Sequence, residues 1–533
     1  MPVSSTDPNA VRVNGFGNIT NERQNEKLMD ISLTYKKTFG VHSINALALY
    51  EWQNQTYEGS FLQARGFISD VTTYNALQYG DMSKVLSGDI RSNKTDRTLA
   101  SFLARLNYSL LDRYLVTASI RRDGSSVFGA NHKWGNFPSA SVAWQITKES
   151  FMSNQTLINE LKLRAGYGVT GNQQGLAPQG SLAIVDGAGS THFGGSQITN
   201  FTINQNDNAD LKWETKKQTN LGLDFALLDN RLRGTVDVYT ATTDNLLFNY
   251  TVPQPPYPKD QIKANVGSIK NEGLEVSLGY DVIRNENTTL TLAGNVSFMR
   301  NEVLNLSGSI DGIPLNTDYV AWGGGTPNLY LIKGQPIGTF NILQHEGVNA
   351  SGVETVVDQN GDGNFDQGAK SPDRIMKGSA LPTYSFAFNP TLRYKNFDAS
   401  LLLRGSGGNK VYNLVNQRSS YLENIGKSNV LDSALDKGIR TSTYGSDIWL
   451  EDASFIRLEN VTAGYSFSFK DRFFESIRLS LTGNNLFLVT DYTGIDPEIN
   501  LNGSGDTNAY FGGDRGIYPR TRNVAFGLIV KFK

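Results

Sequence analysis

The 533-residue chain contains no cysteine, which excludes disulfide staples, thiolate nucleophiles and Cys-ligated zinc. Histidine is scarce, and His42, His132, His192 and His345 are scattered with no ligand-like spacing. Charge is thin as well, at 19% Asp, Glu, Lys and Arg. The 49 Lys+Arg against 51 Asp+Glu leave a net charge of -2, so the basic excess of a nucleic-acid binder is missing. Apolar runs such as Leu401-Leu402-Leu403 and Leu528-Ile529-Val530 fall far short of the ~18 residues of a membrane helix. The opening MPVSSTDPNA lacks the basic and apolar regions of a signal peptide. GxSxG, HExxH and phosphate-loop patterns do not occur, which argues against an enzyme.

What the chain has instead is 53 glycines, 27 Phe, 23 Tyr and 6 Trp, laid out with period two. In 114–121, Tyr114, Val116, Ala118 and Ile120 oppose Leu115, Thr117, Ser119 and Arg121. In 523–532, Val524, Phe526, Leu528, Val530 and Phe532 oppose Asn523, Ala525, Gly527, Ile529 and Lys531. Fifteen such segments follow one another, near 31–39, 41–51, 98–110, 113–122, 137–147, 161–170, 215–228, 231–243, 269–282, 288–300, 383–395, 397–405, 455–469, 475–488 and 520–532. Many reach the ~9–11 residues that cross a bilayer as a tilted strand. Their connections alternate: short ones near Gly40, Leu111-Asp112, 148–160, Asp229-Asn230, 283–287, Asn396 and 470–474, long ones between them. Tight turns at one end and long loops at the other predict an all-β, antiparallel transmembrane barrel. Apolar outside and polar inside reconciles a mean hydropathy of -0.34 with life in lipid. Aromatics near strand ends, Tyr35, Tyr50, Trp52, Tyr114, Trp144, Tyr394 and Phe487, suit interfacial girdles, although aromatics favour strands anyway.

Strand parity carries a further expectation. With long loops outside the cell, strand fifteen and strand one both run downward, so residues 1–30 form the remnant of an extracellular loop. Bacterial single-chain barrels have even strand numbers. The chain therefore reads, over 31–533, as the C-terminal part of a longer barrel, and 334–348 (GQPIGTFNILQHEGV) is placed in a loop rather than in the wall.

Several runs on this frame carry a family resemblance: LKLRAGYGVTGNQ (161–173), DQNGDGNFD (358–366), FIRLENVTAGYSF (455–467) and YPRTRNVAFGLIVKFK (518–533). Together with 110–151, 265–283 and 478–500 they resemble the SusC/RagA-like TonB-dependent outer-membrane transporters of the Bacteroidota, over nearly the whole chain from about residue 30. The resemblance implies a barrel of about 22 strands. It also implies an N-terminal plug, here absent with the signal peptide and first strands, through which TonB acts. A SusD-like surface lipoprotein, membrane lipid and an oligosaccharide or peptide substrate are the implied partners, and the cell outer membrane is the implied location. The barrel-insertion signal of the family falls on Phe526, Val530 and the penultimate Phe532, with Lys533 in place of a terminal aromatic.

Two site expectations complete the reading. Asp358, Asn360, Asp362, Asn364 and Asp366 have the oxygen spacing of a calcium loop with Gly363 at its sharp turn. Ala369 stands where an EF-hand needs Glu, so that motif is excluded. A looser structural Ca²⁺ loop closed by Asp373 and a metal-free loop held by Asx-turns both remain open. Tyr319, Trp322, Tyr330, Tyr444, Trp449, Tyr510 and Phe511 are candidate nutrient contacts, since rings stack on sugars and peptide groups; packing within the loops is the alternative role. Arg121, Arg122 and Asp123 line either the substrate path or a solvated rim. The rival to an importer is a secreted, soluble, β-rich glycan-binding protein, with polar residues outside and apolar ones within.

Overall fold

The computed structural model describes the chain except residues 1, 72, 87, 311–312, 316–318, 322–327, 443, 470–472 and 500–511. One antiparallel sheet organises it, with strands in strict chain order. Its members are β1 (Phe16–Phe39), β2 (His42–Arg65), β3 (Ile90–Leu110), β4 (Tyr114–Ser125), β5 (Trp134–Gln145), β6 (Ile158–Asn172), β7 (Glu214–Leu227) and β8 (Leu232–Asp244). They continue as β9 (Ser268–Arg284), β10 (Thr288–Asn305), β11 (Tyr384–Phe388 with Thr391–Tyr394), β12 (Phe397–Gly407), β13 (Phe455–Ser468), β14 (Phe474–Thr490) and β15 (Asn523–Phe532). β11 is two pieces because Pro390, which has no N–H to give, interrupts it. Among the described residues β1 pairs only with β2 and β15 only with β14, so the sheet has two open edges.

The turns at one end are tight. Gly40 takes φ 56° in a two-residue link between Phe39 and His42, where a left-handed residue matches the strand twist. Leu111, Asp112, Leu228, Asp229, Asn230 and Lys395 also adopt positive φ in the corresponding turns. At the other end the connections are long and carry small sheets of their own. Tyr319–Ala321, Leu329–Ile332, Thr339–Leu343 and Arg374–Ser379 form one small sheet there in that order, and His345–Val348 pairs with Glu354–Val356. The 334–348 stretch thus lies off the wall, as parity required.

Alternation becomes two chemically distinct faces. On the outer face Tyr35, Ala46, Leu106, Ala118, Ala140 and Tyr167 form one cross-strand row by register. Leu221, Val238, Leu278 and Phe298 stand exposed farther round, and at the last strand Phe526 and Phe532 are 69% and 65% exposed. Exposure of this order is what a lipid-facing wall shows when its lipid is left out. Val530 is half-buried beside them, and Phe532 meets Phe474 at 5.4 Å between ring centroids. At the periplasmic margin Tyr114 Oη (2.7 Å) and Trp144 Nε1 (2.9 Å) both donate to Glu149, so each ring stays in lipid while its polar tip is satisfied.

One boundary differs from the sequence reading. β1, β2 and β3 continue far above the apolar belt, so residues 16–30 are strand rather than loop remnant, and the first long loop shrinks to 66–89. The upper stretches, such as Asn18–Lys27, are polar on both faces apart from Ile19, so they carry no apolar alternation. Register pairing, unbroken from Phe16↔Arg65 to Phe39↔His42, holds them, with cross-strand side-chain pairs such as Lys94–Glu58 (3.1 Å) and Thr56–Asp96 (2.6 Å). The three strands rise as a blade roughly 40 Å beyond the rim, at about 3.3 Å per residue.

The two faces predict opposite responses to charge. Leu221→Arg should cost ~2–4 kcal/mol and reduce the folded fraction seen as a heat-modifiable band on gels, whereas the same residue at lumenal Thr235 should cost far less. Equal losses at both positions would contradict the assignment of the faces.

Candidate functional site

The inner face is polar and largely neutralises itself. Arg164 on β6 donates from Nε (2.9 Å) and Nη2 (2.7 Å) to Asp224 on β7, and reaches Asp237 on β8 at 3.1 Å. It lies flat across Gly222, where a β-carbon would stand 2.5 Å from the guanidinium carbon. Arg478 repeats the device, bridging to Asp398 at 2.6 Å across Gly464. Arg121 joins Asp123 (2.7 Å), Glu51 (3.3 Å) and Ser101 (2.9 Å), which places Arg121 and Asp123 on the lumenal side. Arg122 has the other parity and covers the Trp134 ring at 5.3 Å. Under the outer loops, Arg457 is 1% exposed and pairs with both oxygens of Asp496 at 2.7 Å. Glu498 links it to Arg404 (2.7 Å) and Arg520 (3.3 Å). Sequence reading missed these networks; their signal was a charge at lumenal parity on neighbouring strands, legible only once the register is known.

The dry cores of the protein lie above the wall. Leu329, Phe340, Ile342, Ala380, Tyr412, Leu414, Ile439 and Trp449 form one; Val127, Phe128, Phe137, Leu176, Leu211 and Trp213 form another. Glu354, 1% exposed, clamps two loops: His345 Nδ1 lies 2.9 Å away, and the Ser442 and Ser446 hydroxyls donate to it. The canopy of loops is therefore folded rather than loose.

This placement sorts the aromatic candidates. Trp449 is fully buried against Tyr421, and Tyr330 is 8% exposed, so both rings build the canopy and present no face to a nutrient. Their size explains it: a large ring in a long loop is the cheapest way to bury apolar area there. Tyr444 is half-buried and meets Phe365 edge-on at 6.4 Å. The backbone of Tyr319 pairs with Ile332. Trp322, Tyr510 and Phe511 lie outside the described residues.

In the acidic loop the oxygens are spent on N–H groups. Asp358 accepts from Gly361 N and Gly363 N (both 2.7 Å), Asn360 from Asp362 N (3.0 Å), and Asp362 from Asn364 N (2.7 Å). Asp366 accepts from Gly368 N (2.7 Å), and buried Asp373 from Gln359 N (3.2 Å) and Asp366 N (3.1 Å). Among the described residues no three His, Asp or Glu side chains gather around a point that would hold one ion. As arranged, the loop is held by Asx-turns.

A wall with a lipid face, a polar lumenal face and a folded canopy at one end defines an outer-membrane β-barrel protein. A secreted, soluble protein does not fit such a wall. Residues 4–486 match the family described as TonB dependent receptor-like, beta-barrel, and the chain belongs to that family. It is 32% identical over 537 residues to TonB-dependent receptor P3 of Formosa agariphila, covering 94% of this chain and 52% of that protein. It is 33% identical over 467 residues to TonB-dependent receptor SusC of Bacteroides thetaiotaomicron, covering 82% of this chain and 44% of that one. The chain thus spans about half the length of these curated relatives, which are named as receptors rather than enzymes. In fold it matches the RagAB peptide importer in its open-open state with TM-score 0.83 at 22% identity, over 99% of this chain and 57% of that one.

Two outcomes follow. Arg164→Ala removes the cation that Asp224 and Asp237 share, leaving Asp224 only Lys162 at 3.4 Å, and should lower the heat-modifiability midpoint. Adding Asp224→Asn should restore part of the loss, and strict additivity in that double-mutant cycle would show no coupling. For the acidic loop, N–H donation from Gly363 first, and then Gly361, holds the Asp358 carboxyl below its ordinary range. A depressed folded value gives stability that is present above the unfolded pKa of about 3.9 and lost as pH falls through the folded one. Hydrogen exchange over 358–368, corrected for intrinsic rate, should stay flat from neutral pH down to about 5 and rise only below about 4.

Proposed function

We propose that this chain forms wall, lumenal lining and extracellular vestibule of a TonB-energised nutrient importer of the SusC type, taking up an oligosaccharide or a peptide beneath a SusD-like surface lipoprotein. The observation that carries this reading is the pairing of a self-neutralised polar lumen with folded loops gathered at one end of the wall. A lumen whose charges already hold one another neither grips a passing solute nor needs counter-ions. A structured canopy gives a lid protein a defined surface to meet.

Support for the partners is indirect. One relative is named SusC, and one structure of similar fold is titled a peptide importer. The open edges of β1 and β15 support closure by further strands, because an unpaired strand edge in hydrocarbon costs several kcal/mol per orphan group. We assign those strands, and the plug that TonB pulls, to other parts of the full-length relatives' length. A Ca²⁺ ion at Asp358 would require its carboxylate to turn off two N–H groups. Titrating calcium against protease cleavage in 358–373 decides between the ion and the Asx-turn loop, and unchanged cleavage removes the ion.

Uptake tests the reading. Deleting the gene should abolish growth on at least one oligosaccharide or peptide source, and a protonophore should stop uptake in the parent strain while surface binding persists. A surface lipoprotein should co-purify in mild detergent. Uptake indifferent to the protonophore would reject energisation through TonB.

A further inference from the structure

The blade formed by the upper halves of β1, β2 and β3 has an inner face that the transport path as described does not use. Parity carries from the lumenal residues Glu51 and Ser101 upward without a register shift, so Gln53, Gln55, Tyr57, Gly59 and Phe61 of β2 share the lumenal side. Beside them stand Glu22 and Gln24 of β1, and Arg91, Asn93 and Arg97 of β3.

Gly59 shapes this surface. A β-carbon there would lie 2.5 Å from Asn93 Oδ1 and 3.4 Å from both Cε1 and Oη of Tyr57. It is the Asn93 amide that lies across the glycine, with the Tyr57 ring in van der Waals contact beside it. The Phe61 ring, two positions beyond Gly59, lies under the Arg91 guanidinium at 4.3 Å. Arg91 has no ion pair, and Gln24, Gln55 and Asn93 make no side-chain hydrogen bond, among the described residues. Arg97 donates only from Nη2, to Gln173 O at 3.4 Å, and its Nε has no partner.

We infer that this face is an oligosaccharide-binding platform: Tyr57 and the Arg91-capped Phe61 stack on sugar rings, and Gln24, Gln55 and Asn93 fork onto hydroxyls. Its orientation toward the cell exterior rests on the importer reading. Planar amides and guanidinium groups suit neighbouring hydroxyls because they offer two bonds in one plane. The two aromatic positions stand about 13 Å apart, four residues at about 3.3 Å, which no single sugar ring spans. A peptide fits the face less well. Peptides gain most on sheets by pairing backbone to an open edge; β2, which carries Tyr57 and Phe61, is paired on both sides throughout this stretch, and the open edge of β1 is the one the importer reading gives to a further strand.

The absence of cysteine gives the test a clean first arm. Lys94→Cys, on the outer side of the blade, should react with a membrane-impermeant maleimide on intact cells. No labelling there, with labelling after lysis, would sink the importer orientation itself. In the second arm, outer-membrane vesicles carrying the chain as encoded are titrated with maltoheptaose, laminarin, xylan and oligogalacturonate fragments, and separately with a tryptic peptide digest. At least one saccharide should bind. Tyr57→Ala should weaken it on the order of tenfold, Asn93→Ala less, and Tyr57→Phe hardly at all. Heat-modifiability should be unchanged, since the ladder is untouched. Saccharide binding that survives Tyr57→Ala, binding of the digest alone, or binding of no saccharide in the panel, each with surface labelling intact, overturns the platform and leaves the importer reading standing.

Discussion

Everything in this molecule hangs on the backbone ladder. In hydrocarbon an unpaired N–H or C=O has no water to turn to, so a sheet that crosses lipid must pair each strand on both sides. For every strand between β1 and β15 the chain meets that demand in the plainest way, with strands in sequence order joined at one end by tight hairpins, and once the ladder is set the side chains are free to divide by parity. The outer face can then be uniformly apolar and the inner face charged without either disturbing the other. The ladder also explains how the blade stands in water. Strands polar on both faces bury almost nothing, yet β1, β2 and β3 stay in register because the pairing begun in the membrane simply continues.

The usual order of a globular protein is inverted as a result. The wall has almost no dry interior, and the buried hydrophobic clusters sit mostly in the connections, reaching the wall at strand-end residues such as Phe137 and Val303. These long loops behave as small domains, with sheets, apolar cores and buried polar clamps such as Glu354. Two kinds of hydrophobic residue therefore coexist: those exposed because lipid is their solvent, and those buried because water is.

This split decides what the amino-acid sequence discloses. Wall strands were legible because Tyr114-to-Arg121 or Val524-to-Phe532 alternates strictly, and the off-wall placement of 334–348 followed from parity. The upper blade was not, because Asn18 to Lys27 has Ile19 as its single apolar residue, too few to alternate, and is held by partners distant in sequence. Loop residues were harder still. Trp449 and Tyr330 look like Tyr444 in one dimension, and only tertiary packing separates a ring that fills a core from one that meets solvent. The charges of the lumen, Arg164 and Asp224 among them, become a network only across strands, through a register no single segment encodes.

Glycine connects these observations. Within the wall it is not a weak strand former placed at random: Gly222 and Gly464 clear room for Arg164 and Arg478 to lie flat, and Gly59 does the same for Asn93. In the first two cases the flat side chain finds an acid and closes on itself, leaving a lumen with little to hold a solute. In the third the flat side chain is an amide that finds no partner, beside the Tyr57 ring and the Arg91 guanidinium. One backbone device thus yields a smooth passage low in the wall and an adhesive surface high above it, and the difference lies in whether each neighbouring polar group already has a partner.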